Sequence, residues 1–161
     1  GTVDIGSSGA KYRDVYISGG LMVGGNTSAN ALDDYEEGTW TPTTNNASGY
    51  SAQFGRYVKI GKMVWLNANI NTSTTSGVGN LIQGLPFTSS NTGNSAGNLS
   101  IGYYAGVNVA MVWLTGYVLN SSHNIYVSGN SANASTIQHN GAAMFNGNSR
   151  IMFSVVYEAA W

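Results

Sequence analysis

The side chains that could do acid–base or metal chemistry are few in this sequence, and most of the acids fall in one stretch. Asp33, Asp34, Glu36 and Glu37 are four of the seven acidic residues among 161. Carboxylate oxygens are hard ligands that suit Ca²⁺, but the D-x-D-x-D-G pattern of a calcium-binding loop is absent. We therefore predict a solvated junction at this stretch and no metal site.

The remaining polar groups do not predict catalysis. Hydrolysis of a glycoside by paired carboxylates needs two acids across the substrate, and beyond Thr39 the only acid is Glu158. Cysteine is absent, which removes thiolate nucleophiles and cysteine metal sites. His123 and His139 lie in no metal-binding motif, so we predict ordinary loop or surface histidines. The alternative is a metal bound by one histidine from each of three subunits. We predict no catalytic residue and no cofactor, and hence a protein that is not an enzyme.

The low charge excludes two further classes of function. Charged residues make up 8% of the chain, against a typical value of about 25%. Residues 1–38 carry six acidic and two basic side chains, whereas residues 39–161 carry one acidic and four basic ones. The four basic residues form no clustered patch of the kind that binds nucleic acid. No apolar run approaches the roughly 20 residues of a membrane helix, so we also predict no membrane insertion.

The elements that must position these residues are strands. Short apolar, aromatic and β-branched runs are separated by Gly, Asn and Ser clusters, and no sustained helical stripe occurs. Roughly eight strands in residues 43–161 predict an all-β fold, an antiparallel β-sandwich of the jelly-roll type. The predicted strands are Gln53–Ile60, Met63–Asn71, Leu81–Ile82 with Leu85–Phe87, Leu99–Val107, Val109–Leu119, Asn124–Ser128, Thr136–His139 and Ile151–Trp161.

Two of these strands are apolar on both faces. Val109–Leu119 and Ile151–Tyr157 lack the alternation expected of a strand with one solvated face. We predict that one face enters the core and that the other is covered, with a subunit interface as the candidate cover. The chain ends on Trp161, which we expect to be docked.

The N-terminal residues 1–32 contain three short strand candidates separated by glycine-rich turns. Two- or three-stranded pieces are unstable alone in water, so we predict that copies of this segment from other subunits complete it. The acidic stretch, residues 33–42, would then separate this shaft-like segment from a head formed by residues 43–161. Because the chain starts at Gly1 and not Met, we expect a fragment of something longer.

Four strings resemble bacteriophage tail-fibre and tailspike proteins. Residues 50–61 fit the form Y-x-x-Q-x-G-x-Y-x-K-I-G, and residues 84–91, Gly-Leu-Pro-Phe-Thr-Ser-Ser-Asn, resemble a second string of that family. Residues 4–19 resemble the end of a fibre shaft, and residues 33–42 resemble the junction between shaft and head. Residues 92–161 contain no such string and are similar to that family only in general composition.

The resemblance implies a homotrimer at the distal part of the virion tail. It implies a shaft of interwoven strands and a non-catalytic β-rich head, similar to the trimeric heads of the tumour-necrosis-factor and C1q type. Such a head binds the host cell surface, often a glycan. Two alternatives stay open. One is a structural trimerisation or tip module without a receptor site, and the other is the C-terminal tail of a depolymerase whose catalytic domain lies upstream.

A glycan site needs aromatic faces and neutral hydrogen-bonding groups. We predict Trp65 and Trp113, in the middle of strands, to be core residues. Tyr103 and Tyr104 are adjacent in a strand, so one ring should face outward. Polar residues near predicted turns would add contacts. The candidate ligand-binding residues are Tyr103, Tyr104, Asn108, His123, Asn124 and Asn140.

Overall fold

The computed structural model describes residues 5–32, 34–77, 79–91, 97–107, 111–130 and 144–160. The chain divides into two compact units, Gly1–Asp34 and Tyr35–Trp161. The second unit, here called the head, begins at Tyr35, earlier than the predicted residue 43. Residues 35–40 of the predicted junction form a strand of the head sheet, because their backbone pairs with residues 55–60.

The first unit has little regular structure. It contains the antiparallel pair β1 (Leu21–Met22) and β2 (Ala31–Leu32) and one turn of 3₁₀ helix at Ser28–Asn30. The large apolar side chains of its described residues are exposed to solvent: Tyr16, for example, is 95% exposed. The exposed apolar residues of this unit are Ile5, Tyr12, Val15, Tyr16, Ile17, Leu21, Met22, Val23 and Leu32.

The head is one antiparallel sheet of nine strands, and its described residues contain no α-helix. The prediction of an all-β antiparallel fold is confirmed. Across the sheet the order is β3-β5-β6-β11-β8-β9-β10-β7-β4. The strands are β3 (Tyr35–Trp40), β4 (Thr43–Thr44), β5 (Ala47–Ile60), β6 (Met63–Thr75), β7 (Leu81–Gln83), β8 (Asn98–Ala105), β9 (Trp113–Val118), β10 (Asn124–Asn130) and β11 (Arg150–Glu158).

The sheet curls on itself, as its two edges show. The edge strands β3 and β4 are consecutive in the chain and separated by only Thr41 and Pro42. Three peptide steps span roughly 10 Å, so the first and last strands of a nine-stranded sheet must lie close together. The curled sheet encloses one core, in which the edge of the Trp40 ring meets Phe153 at 6.4 Å between centroids. The two layers expected of a sandwich are therefore parts of one sheet, which is continuous through the pairing of β8 with β9.

Alternation along the central strands builds this core. In β11 every second residue from Ile151 to Tyr157 is buried, and the residues between them are exposed. The same alternation runs through β6 from Val64 to Ile70. Each buried aliphatic side chain contributes about 1.5–3 kcal/mol, and the period of two places the intervening residues on the opposite face. The outward side chains of β11 are solvent-exposed within the single chain; whether a second subunit covers them stays a prediction.

The C-terminal strand also carries a buried tyrosine. The Tyr157 hydroxyl donates to the Phe87 carbonyl at 3.0 Å and accepts from the Phe87 backbone N–H at 3.3 Å. Burial raises the pKa of Tyr157 above its ordinary value of 10.0. Above pH 10 the unfolded chain therefore loses this proton while the folded head keeps it, and the stability that depends on this group falls as pH rises.

We expect Tyr157→Phe to lower the free energy of unfolding by about 1–2 kcal/mol near pH 7, because two buried backbone groups lose their partner. Its free energy of unfolding should then decline less steeply than that of the wild type between pH 9 and pH 11. Urea unfolding followed by tryptophan fluorescence across this range measures both effects. An equally steep decline in the variant would show that Tyr157 is not the group responsible.

Candidate functional site

The outward face of strands β3, β5, β6, β11 and β8, here called the outer face, is unusually aromatic and apolar. It exists because residues that alternate with the core residues must point away from the core. Isolated exposed apolar residues are common, but a contiguous group on one sheet face indicates a binding surface. Its exposed large apolar or aromatic side chains are Tyr35, Phe54, Ile60, Met63, Trp65, Tyr103, Met152 and Val156.

Strand register arranges the outer face in rows that run across the strands. One row, here called the polar row, consists of neutral hydrogen-bonding side chains and one arginine. Residues directly opposite in neighbouring strands project to the same side at a spacing of about 5 Å, so the row is nearly continuous. From β3 to β8 its members are Thr39, Arg56, Asn67, Ser154 and Ser100.

The next row, here called the tryptophan row, is apolar at its centre. Val58 pairs with Trp65, and Trp65 pairs with Val156. Glu37 on β3 and Asn98 on β8 form its two ends. Trp65 is 43% exposed, so much of its indole is available to a ligand. An aromatic surface therefore lies directly beside a row of hydrogen-bonding groups.

The two rows line one open cleft of about 740 Å³. This volume is in the range of small-molecule binding sites. Its two charged side chains are Arg56 and Glu37, and the other side chains on the outer face that line it are Thr39, Val58, Trp65, Asn67, Ser154 and Val156.

The acids of β3 are tied to tyrosines. Glu37 accepts a hydrogen bond from the Tyr35 hydroxyl at 2.9 Å, and this bond raises the pKa of Tyr35. Glu36 accepts a short hydrogen bond from the Tyr57 hydroxyl, which raises the pKa of Tyr57 in the same way. Glu36 and Glu37 are adjacent in a strand and so project to opposite faces. The predicted solvated junction is therefore partly an ordered edge strand, while Asp33 lies outside the described residues.

The two candidate tyrosines face opposite ways, as alternation predicts. Tyr103 is 48% exposed on the outer face, where the Arg150 guanidinium lies 5.8 Å from its ring centroid. Tyr104 packs against the core, and its hydroxyl donates to the carbonyls of Met111 and Val112 at 3.1 Å each. Only Tyr103 thus presents its ring to a ligand.

His123 and Asn124 lie elsewhere, where the turn after β9 leads into β10. The Nδ1 of His123 donates to the Leu85 carbonyl at 2.8 Å, so Nε2 of the neutral ring accepts from the Thr88 hydroxyl at 2.8 Å. The Asn124 side chain accepts from Gln83. This turn is at the β8 end marked by Asn98, roughly 17 Å along the strand from Tyr103. The structure does not bring the candidate residues together, and Asn108 and Asn140 lie outside the described residues.

The prediction that Trp65 and Trp113 are core residues is wrong. They are 43% and 42% exposed, each on an outward position of its strand. Sequence reasoning also missed Asn67 and Ser154. The signal was present, because asparagine recurs at every second position of Asn67–Asn71, opposite in phase to the buried residues.

Other chemical sites are not evident in the described part of the chain. No group of three or more His, Cys, Asp or Glu residues there could hold a metal ion, and His139 lies outside it. Residues 93–97, Gly-Asn-Ser-Ala-Gly, match the G-x-S-x-G pattern of a nucleophilic serine, which the prediction of no catalytic residue wrongly took to be absent. That motif places its serine on a strand-to-helix turn, and residues 93–96 lie outside the described residues. No described helix is long and apolar enough to span a membrane.

Comparison with known proteins gives one structural likeness. No family model matches the chain, and neither does any curated protein sequence. The chain is similar to the crystal structure of Dettilon tailspike protein (gp208), with a TM-score of 0.59 and 13% sequence identity. The match covers 78% of this chain and 24% of that one, so this chain spans about a quarter of the tailspike's length. This chain therefore has a tailspike-like fold.

Proposed function

We propose that this chain is the C-terminal head and adjoining shaft segment of a bacteriophage tail protein, and that it binds a host cell-surface glycan without catalysis. The observation that carries the proposal is the outer-face cleft, in which the exposed Trp65 lies beside the polar row. The tailspike-like fold and the resemblance of residues 4–91 to tail fibres support placement on a virion tail.

The chemistry of the cleft suits a sugar. Pyranose rings have an apolar face of C–H groups that stacks on aromatic rings, and hydroxyls that exchange hydrogen bonds with amides and hydroxyls. Trp65 supplies the first contact, and Asn67, Ser154 and Thr39 supply the second. Side chains in regular strands are also well positioned in advance, which reduces the entropy lost on binding.

The arrangement of acids supports binding without hydrolysis. Glu36 and Glu37 project to opposite faces and cannot flank one glycosidic bond. Glu158 pairs with Lys62 at 3.8 Å, in the outermost row of β11. Within the described head, no two carboxylates approach one sugar position from opposite sides.

Binding by the isolated chain to susceptible bacteria, and to an array of bacterial surface polysaccharides, tests the proposal. We expect saturable binding to both, with no shortening of the bound polysaccharide on size-exclusion chromatography. Absence of binding to any susceptible host would overturn the receptor-binding role and leave a structural tip module. Shortened polysaccharide would overturn the non-catalytic part.

We also propose that the chain functions as a homotrimer. The support is the first unit, in which nine large apolar side chains of the described residues are exposed to solvent. Copies of the same segment would bury them, as strands too short to be stable alone require. The number three comes from the resemblance to tail fibres.

Light scattering should give a mass near three times the 16.9 kDa of one chain. Ile17→Asp combined with Val23→Asp should shift the protein toward monomer, because each change places a charge where apolar contacts between subunits are expected. Ser18→Asp combined with Ser28→Asp is the matched control, since it adds the same charge at polar positions and should leave the mass unchanged. A wild-type monomer would contradict the trimer.

A further inference from the structure

One arginine of the outer face is held in place but lacks an acidic partner. Arg150 donates from Nε to the Asn69 side-chain oxygen at 3.2 Å, and its guanidinium carbon lies 5.8 Å from the centroid of the exposed Tyr103 ring. These contacts use one of its five N–H donors and orient the guanidinium plane. Among the described residues the other donors have no partner, so they are available to a ligand.

Arg56, a second arginine of the outer face, also lies near an aromatic ring and has no acidic partner among the described residues. The guanidinium carbon of Arg56 lies 5.3 Å from the centroid of the Phe54 ring, and Arg56 also lines the cleft. No carboxylate in the described part of the chain is within ion-pairing distance of either arginine. In contrast, Lys62 pairs with Glu158, and Arg13 pairs with Asp14.

Two arginines without acidic partners on one face favour a ligand that carries acidic groups. Guanidinium groups bind carboxylates and phosphates through two parallel hydrogen bonds, and this bond is stronger than one to a neutral hydroxyl. Stacking on an aromatic ring keeps the plane ordered at little cost in solvation. We infer that the glycan bound by this head is anionic and carries carboxylate or phosphate groups that pair with Arg56 and Arg150. This inference rests on the proposed function.

Strand positions indicate how such a glycan would lie. Arg56 on β5 is level with Ser154 on β11, two strands away, and Arg150 is four residues along β11 from Ser154, so the two backbones are roughly 16 Å apart. Asn67 and Ser154, on β6 and β11, lie in the polar row beside this path. Glu37 is at the opposite, β3 end of the cleft and would repel an anion. The anionic group paired with Arg56 therefore lies on the side of that arginine that faces β6 and β11, away from Glu37.

The experiment uses the full chain and an array of acidic and neutral bacterial polysaccharides of defined structure. We expect binding to acidic members only, and a loss of about tenfold in affinity for each of Arg56→Gln and Arg150→Gln, the size of one charge-assisted contact. Affinity should fall as NaCl is raised from 50 to 500 mM, because salt screens exposed charges. Glu37→Gln should strengthen binding. Lys62→Gln, which removes the same charge outside the site, should leave affinity unchanged.

Chemical treatment of the bound polysaccharide separates the two sources of charge. Reduction of its carboxylates to alcohols should abolish binding if uronic or related acids are recognised, and dephosphorylation should do so if phosphates are. Binding to neutral polysaccharides, or full binding after both treatments, would overturn the inference while the glycan-binding function stands. If only whole bacteria are bound, unchanged cell binding by Arg56→Gln and Arg150→Gln overturns it, and a tenfold loss supports it. No binding to glycans or cells overturns both proposals.

Discussion

Trp65→Ala should weaken binding to the recognised polysaccharide by at least about 30-fold, the effect of removing a central aromatic contact. The indole lies in the middle of the cleft, between Val58 and Val156 in the neighbouring strands. Alanine leaves the hydrogen-bonding groups of the polar row in place but removes the surface on which a sugar ring would stack. Because the side chain points outward, the fold should tolerate the change. Isothermal titration calorimetry with the polysaccharide measures the loss.

Trp113→Ala is a closely matched control. The two tryptophans are almost equally exposed, at 43% and 42%, and both are on outward strand positions. Trp113 is on β9, outside the cleft. We expect the Trp113 variant to bind as the wild type does, and Trp65→Phe to retain part of the affinity. Equal losses for the two alanine variants would refute the placement of the site at Trp65.

Gly55→Ala should lower the free energy of unfolding of the head by about 3 kcal/mol, the upper part of the usual range for overpacking a core. A Cβ atom at Gly55 would lie 2.2 Å from Nε1 of Trp40, far inside van der Waals contact. The indole is buried and packs on Phe153, so it has little room to move. For a domain of this size the change corresponds to a drop of roughly 10 °C in Tm, measurable by differential scanning calorimetry.

Gly102→Ala is the control for this prediction. An added Cβ there would meet nothing nearer than the Met152 carbonyl oxygen at 3.9 Å, so the stability should change by less than about 0.5 kcal/mol. A second test is Trp40→Leu with Gly55→Ala. The two substitutions should cost less together than the sum of their separate effects, because the smaller side chain removes the clash. Strict additivity would show that Trp40 is not what Gly55 accommodates.

Trp40, at the end of the edge strand β3, has a structural role, which is to pack into the core. Its buried Nε1–H has no hydrogen-bond partner among the described residues, an arrangement that costs free energy. The gain that offsets this cost is apolar burial over Gly55 and against Phe153. The first strand of the head is thus anchored in the core through its last residue, Trp40. Its first five residues could not be assigned to the head from local pattern, because the acids resemble a solvated linker.

The fold class and most strand positions followed from local sequence. The hairpin at Gly61–Lys62 is an example, since Gly61 adopts the positive φ of 55° that such a turn needs. The alternation in β6 likewise followed from residue order alone. The predicted ends of the strands were less accurate than their centres. β6 extends to Thr75, although a loop was expected from Thr72, because β5 continues alongside it to Ala47.

The sequence by itself determined the all-β class, the low charge and the scarcity of acids in the head, because composition and a period of two are local properties. Only the tertiary structure decided which residues form the cleft. Arg56, Asn67 and Ser154 meet through pairing of β5 with β6 and of β6 with β11, although Asn67 and Ser154 are 87 positions apart in the chain. Alternation within β6 places Val64 and Trp65 on opposite faces, but which residues of β5 and β11 lie beside Trp65 depends on pairing between segments distant in the chain.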